Sequence, residues 1–168
     1  MKHNVIPRLR ASTGLATLAL LFWFVQCPAQ YNRPTSGVGG TLLIPQVVLI
    51  QPEALNHLLQ GKEANRPLML QVGSHVLYAE AHIPNSEYAG PGSQSTGLEV
   101  LRKAVAKLSK DKFIVLYCGC CPWNRCPNLE PAYQQLQDMG FANVKVLYLA
   151  DNFGANWVDK GYPVERGR

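Results

Sequence analysis

The chain has 168 residues and a mass of 18.6 kDa, and at about 100–200 residues per domain that length holds one compact domain. Charged residues make up 16% and hydrophobic residues 47%, too apolar a balance for a disordered chain, and the 14 Gly and 12 Pro follow no collagen-like period. The formal charge of +5 is concentrated at the start: Lys2, Arg8 and Arg10 lie within the first 29 residues, and without that segment Lys+Arg falls from 16 to 13 against 11 acids, a net of +2, so no nucleic-acid partner is expected.

Residues 1–29 combine a basic start, an apolar stretch from Leu15 to Val25 and small residues at Cys27-Pro28-Ala29. That is the pattern of a secretory signal peptide cleaved after Ala29. The apolar core is shorter than the ~20 residues that cross a bilayer, so no stable membrane span is expected after cleavage. An uncleaved anchor, or a lipid on Cys27, is the alternative, although Gln26 is large for a lipoprotein site. Export to the periplasm or medium would place the remaining cysteines in an oxidising compartment.

Residues 30–45 are rich in Gly, Pro, Ser and Asn and read as a flexible leader, with the folded domain over 46–168. Val47 to Ile50 is a β-branched run, and Pro52 opens a helix that places Leu55, Leu58 and Leu59 on one face before Gly61. Pro67 to Val72 is a second apolar run ended by Gly73. Ala81 to Pro84 reads as a turn into a short extended piece near Tyr88. From Leu98 to Leu108 apolar residues recur at helical spacing, with Arg102, Lys103 and Lys107 on the solvated face. Phe113 to Tyr117 reads as a buried parallel strand. Asn128 is placed to cap a helix that tolerates Pro131 in its first turn and stops at Gly140, and Val144 to Leu149 is a last strand. Alternating strands and helices over one domain's length predict an α/β sandwich with a mostly parallel central sheet flanked by helices.

All four cysteines after the leader fall in one segment, Cys118-Gly119-Cys120-Cys121-Pro122-Trp123-Asn124-Arg125-Cys126-Pro127, between the strand at 113–117 and the helix capped by Asn128. Ligands in open α/β sheets bind beyond the carboxyl ends of strands, and a helix N-terminus favours an anion. Cys118, first past the strand, is therefore expected at the loop floor among backbone amides. Those amides and Arg125, the only charged side chain between Cys118 and Pro127, are expected to lower its pKa.

At this point the sequence resembles the rhodanese-like family. Ala81-His82-Ile83-Pro84-Asn85 is similar to that family's Gly-His-Ile-Pro-Gly, Ile114 to Cys118 to its strand and nucleophile, and Gly140 to Val144 to its post-helix turn. Trp157 and Gly161-Tyr162-Pro163-Val164 are similar to its ending, so the resemblance runs from about Val47 to Val164. It implies sulfur transfer: Cys118 would attack a small sulfur donor such as thiosulfate or a persulfide, hold the sulfur as a persulfide, and pass it to a thiol or to cyanide. The loop residues Gly119, Cys120, Cys121, Trp123, Asn124 and Cys126 would form the substrate cradle; apart from the resemblance, the charge of Arg125 is expected to attract an anionic donor or steady the persulfide. No cofactor is implied.

The loop departs from the resemblance in length and in Cys120, Cys121 and Cys126, and Gln71-Val72-Gly73 stands where the family commonly has Asp-Val-Arg. Cys118 and Cys121 have Cys-x-x-Cys spacing, so an exported thiol–disulfide redox protein is a second reading. A third is a soft metal ion, but four ligands within nine residues, two of them adjacent, fit poorly around one tetrahedral centre, so no metal is expected. The plainest reading is a binding module whose loop disulfides add only rigidity. His82 is read as a structural hydrogen-bonding residue, Trp157 as core, Trp123 as lining or covering the loop, and no histidine is expected as a base.

Overall fold

A computed structural model describes residues 43–63 and 66–167. The expected signal peptide and all but the last three residues of the expected leader lie outside them. No helix among the described residues is long and apolar enough to cross a membrane.

The chain builds five strands, β1 (Leu49–Ile50), β2 (Leu68–Gln71), β3 (Glu87–Tyr88), β4 (Ile114–Tyr117) and β5 (Val144–Leu147). They lie in the order β1-β5-β4-β2-β3, every pairing parallel. Four helices accompany them: α1 (Pro52–Gln60), α2 (His75–Glu80), α3 (Ser95–Val105) and α4 (Leu129–Asp138). This is the α/β sandwich the sequence predicts.

Strand β4 occupies the centre because it is apolar on both sides. Ile114 and Leu116 join one core with Leu101 and Val105 of α3 and Ala132 and Leu136 of α4. Val115 and Tyr117 join the other, with Leu55 of α1, Phe153 and Trp157. The two-residue period of a strand then puts Cys118 on the α3/α4 face, toward the start of α4. Gly140 ends α4 as expected, at φ 83°, with the amide of Phe141 returning to Leu136 O at 3.0 Å.

Several boundaries differ from the sequence expectation. The run at 47–50 is a 3-10 turn over Gln46–Val48 before a two-residue strand. The helix expected from Leu98 begins at Ser95 and ends at Val105. Helix α2 and a π-helical turn at Gly154–Val158 carried no clear periodicity: α2 buries only Tyr78 and the turn only Trp157.

The turn after α2 is tied to the C-terminal segment. His82 exchanges backbone hydrogen bonds with Glu165, its Nδ1 lies 2.8 Å from Tyr78 O, and its ring stacks on Tyr78 at 4.0 Å. Its role in the described structure is the structural one expected. Asn85 adopts φ 61°, a left-handed conformation that asparagine tolerates better than most residues, where the resembling family has glycine. Tyr117 joins this turn to the central strand: its buried hydroxyl accepts from Ile83 N at 3.2 Å and lies 2.8 Å from Ser86 Oγ. Burial holds that phenol well above its usual range. Tyr117→Phe leaves the Ile83 amide unpaired in the core and is expected to cost about 1–3 kcal/mol. An unchanged urea midpoint would show that this link does not stabilise the fold.

Candidate active site

The loop from Cys118 to Asn128 gathers its sulfurs at the carboxyl end of β4. Cys118 and Cys126 are 4% and 3% exposed, whereas Cys120 faces solvent. The Sγ atoms of Cys118, Cys120 and Cys126 all lie within 4.8 Å of one another. Cys118 Sγ is 3.2 Å from Cys120 Sγ, which is 3.1 Å from Cys121 Sγ, and Cys121 Sγ donates to Arg125 O at 3.6 Å. Cys118 therefore contacts Cys120, which stands between it and its Cys-x-x-Cys partner Cys121. All four thiols are free.

Asn128 has a different task from the one its sequence position suggests. It stands at the cap position of α4, yet its side chain makes no capping hydrogen bond. Its Nδ2 donates to Cys118 Sγ at 3.4 Å and to Cys120 Sγ at 3.8 Å, and its Oδ1 accepts from Ser93 N at 3.0 Å. One buried amide thus joins the sulfur cluster to the loop before α3.

The floor beneath Cys118 is closed by Gly73. A Cβ there would stand 2.9 Å from Cys118 Sγ and 3.1 Å from Gln71 Nε2. The buried Gln71 turns its Oε1 back to accept from Gly73 N at 3.0 Å. A neutral amide and a bare backbone therefore occupy the place where the resembling family commonly has a charged pair. Phe153 N donates to Gly119 O at 3.2 Å and Trp123 N to Ala150 O at 3.2 Å, which anchors the loop to the segment after β5. Trp123 packs against Tyr148, with ring centroids 5.2 Å apart, and so covers the loop.

Two expectations for the loop are corrected. The backbone is only partly a cradle of free amides, because the N–H groups of Trp123, Arg125 and Cys126 are occupied by carbonyl oxygens. The Arg125 guanidinium is exposed and, among the described residues, makes no hydrogen bond or ion pair; it is not among the causes that shift the thiols. Asn124 is exposed in the same 3-10 turn, Trp123–Arg125.

Charge also settles on a different atom from the one expected. Hydrogen bonds from Cys118 and then Cys126 hold the Cys120 thiol well below its ordinary range. Cys118 is raised, first because its own S–H serves Cys120 and then by burial, which outweigh donation from Cys126. Cys126 is raised because its thiol serves Cys118 and Cys120, and burial pushes Cys121 up to about 12. These shifts favour a single negative charge on the cluster, carried by the exposed Cys120. Cys118 and Cys126 direct their thiol protons at it, so adjacent sulfurs are not forced to ionise together.

A cavity of about 430 Å³ opens beside this charge, lined by Ser74, His75, Tyr88, Gln94, Cys120 and Asn128 among others. A separate groove bordered by Asn56, Arg66, Met69 and Trp157 contains no thiol. Ser74, His75, Tyr88 and Gln94 carried no motif in the sequence; only the position of β3 and of the loop before α3, beside the end of β2, brings them to the sulfurs.

The profile of the Rhodanese-like domain matches residues 52–149, and the chain belongs to that family. It is 29% identical over 135 residues to the thiosulfate sulfurtransferase YnjE of Escherichia coli strain K12. That match covers 71% of this chain and 29% of the relative, so the chain spans less than a third of that protein's length. Among solved structures, the rhodanese-like domain of Alr3790 from Anabaena aligns with a TM-score of 0.54 at 22% identity, over 71% of this chain and 79% of that one. BH2092 from Bacillus halodurans aligns at 0.53 and 24% identity, over 70% and 75%. These two likenesses establish the fold.

Two measurements test the site. In the reduced protein, thiolate absorbance followed against pH is expected to show one thiolate persisting far below the free-thiol value of about 8.5 and lost in Cys120→Ser, with the others ionising above it. Because that folded-state pKa is depressed, its stabilisation is full above the unfolded thiol pKa and falls away as pH drops toward the folded one. Four thiols titrating together near the free value would contradict the shared charge. Gly73→Ala is expected to displace Cys118, lower stability by about 1–3 kcal/mol and alter the alkylation rate of the loop; an unchanged rate and urea midpoint would show that the close approach has no consequence.

Proposed function

We propose that this chain is an exported sulfurtransferase in which Cys118 carries the transferred sulfur. The observation that supports this most is the position of Cys118, directly past the central strand, with Cys120 Sγ 3.2 Å away to take its proton and Asn128 Nδ2 at 3.4 Å. The basic, apolar and small-residue pattern of residues 1–29 supports export.

The reaction begins when the Cys118 proton moves to the Cys120 thiolate. The Cys118 thiolate attacks the outer sulfur of thiosulfate, the sulfur–sulfur bond of the donor breaks, and sulfite leaves with the bonding pair. The persulfide anion on Cys118 then lies beside the newly protonated Cys120 and the Asn128 amide, two donors for its charge. A thiolate or cyanide entering by the cavity attacks the terminal sulfur and restores the Cys118 thiolate. Gly119, Cys121, Trp123, Asn124 and Cys126 shape the loop around these steps. Arg125, exposed in the 3-10 turn of the same loop, adds a positive charge that favours the approach of an anionic donor.

The 3.2 Å contact also favours a second reading, dithiol redox chemistry, with Cys120 rather than Cys121 as partner. The Cys120 thiolate would attack the inner sulfur of the Cys118 persulfide, form the Cys118–Cys120 disulfide and release hydrosulfide. An external thiol reductant would then reset the pair.

Mass spectrometry of the reduced protein after thiosulfate treatment separates the two. Sulfur transfer predicts a gain of about 32 Da on the peptide holding Cys118, absent in Cys118→Ser. A loss of two hydrogens linking Cys118 to Cys120 would favour redox resolution, and a gain that survives in Cys118→Ser would overturn Cys118 as the carrier.

A further inference from the structure

We propose that the Cys118, Cys120 and Cys126 sulfurs also form a three-coordinate site for one copper(I) ion. The sequence argues against a metal because four cysteines crowd a tetrahedral centre. The fold changes that count. Cys121 touches Cys120 at 3.1 Å but donates its thiol to Arg125 O and is not one of the three sulfurs, Cys118, Cys120 and Cys126, that all lie within 4.8 Å of one another.

The donor set selects the ion. It contains no carboxylate and no imidazole, and thiolate-only sites favour soft ions. Zinc in a structural site takes four protein ligands, whereas copper(I) is satisfied by three sulfurs. With metal–sulfur bonds of about 2.3 Å, a trigonal ion needs its sulfurs about 4 Å apart. The observed spacings, 3.2 Å for Cys118 to Cys120 and at most 4.8 Å for the set, lie on either side of that value. A small opening of one pair admits the ion without rebuilding the loop.

The surroundings suit a metal–thiolate centre. Asn128 Nδ2 already faces two of the three sulfurs and becomes an outer hydrogen-bond donor to them. Cys118 and Cys126 are buried, while Cys120 borders the cavity and gives the ion its entry. Binding is an exchange of ions: copper(I) replaces the thiol protons of the set, which pass to solvent, and no sulfur changes oxidation state. Because the ion takes Cys118, the copper-loaded protein cannot accept sulfane sulfur there.

The test is an anaerobic titration of the reduced full chain with copper(I) against bicinchoninate, followed by X-ray absorption of the loaded protein. One equivalent is expected to leave the chelator and to show three sulfur neighbours. Cys126→Ser is expected to lose the ion to the chelator, Cys121→Ser to keep one equivalent, and Asn128→Ala to weaken binding ~10–100-fold. Absence of copper transfer, nitrogen or oxygen neighbours, two or four sulfur neighbours, or full retention by Cys126→Ser would each overturn the site. The absorption measurement uses the unmutated chain, so it decides even if a variant fails to fold. Copper binding and the thiosulfate adduct on metal-free protein are read separately, so one can fail while the other stands.

Discussion

One negative charge shared among crowded sulfurs is the constraint on which this site depends. Two thiolates a few ångströms apart repel strongly, so a loop with several cysteines in contact is stable only if most remain protonated and direct their protons at one acceptor. The exposed Cys120 takes that place, with Cys118 and Cys126 as its main donors. The hydrogen bonds thereby favour the anion on Cys120 without a paired cation: the loop's arginine is exposed and bonded to nothing in the described structure. The proposed sulfur carrier, Cys118, lies one proton transfer away.

Three local features hold the sulfurs in that arrangement. Strand β4 delivers Cys118 on the α3/α4 face by simple alternation. Gly73 leaves space for its sulfur, since any side chain there would enter that space. Asn128 fixes the far side with its amide nitrogen on two sulfurs and its oxygen on the Ser93 amide. Gly73 follows β2, Cys118 and Asn128 share the connection after β4, and Ser93 precedes α3; they meet because β2 and β4 are parallel neighbours in the sheet. The cavity occurs at the same junction, so donor, acceptor or metal ion would approach where the charge is.

Much of this was legible in the sequence. The apolar run at 113–117, the capped helix with its Gly140 stop and the cysteine segment between them fix the loop's place in the fold. Asn85 adopts a left-handed conformation where the resembling family has glycine, and Trp157 is buried, as its reading as a core residue expects. Less legible was anything decided by contact across the chain. Asn128 has the residue type and position of a cap, and only folded coordinates reveal that its amide serves sulfur. Arg125 looks like the partner of a thiolate because it is the only charge nearby in sequence, whereas its side chain is exposed and makes no ion pair among the described residues. Cys-x-x-Cys spacing suggested Cys118 with Cys121, but the turn places Cys120 between them. The short α2 and the π-helical turn bury too few residues to leave a periodic signal.

A loop that hands a proton from a buried sulfur to an exposed one explains why a cysteine 4% exposed can serve as the proposed carrier while a neighbour holds the charge. The most direct test is sulfur anomalous diffraction from crystals of reduced protein treated with thiosulfate. The account predicts one additional sulfur bonded to Cys118 Sγ, within reach of the Asn128 amide and beside Cys120. An additional sulfur on Cys120 or Cys121, with Cys118 unmodified, would contradict it.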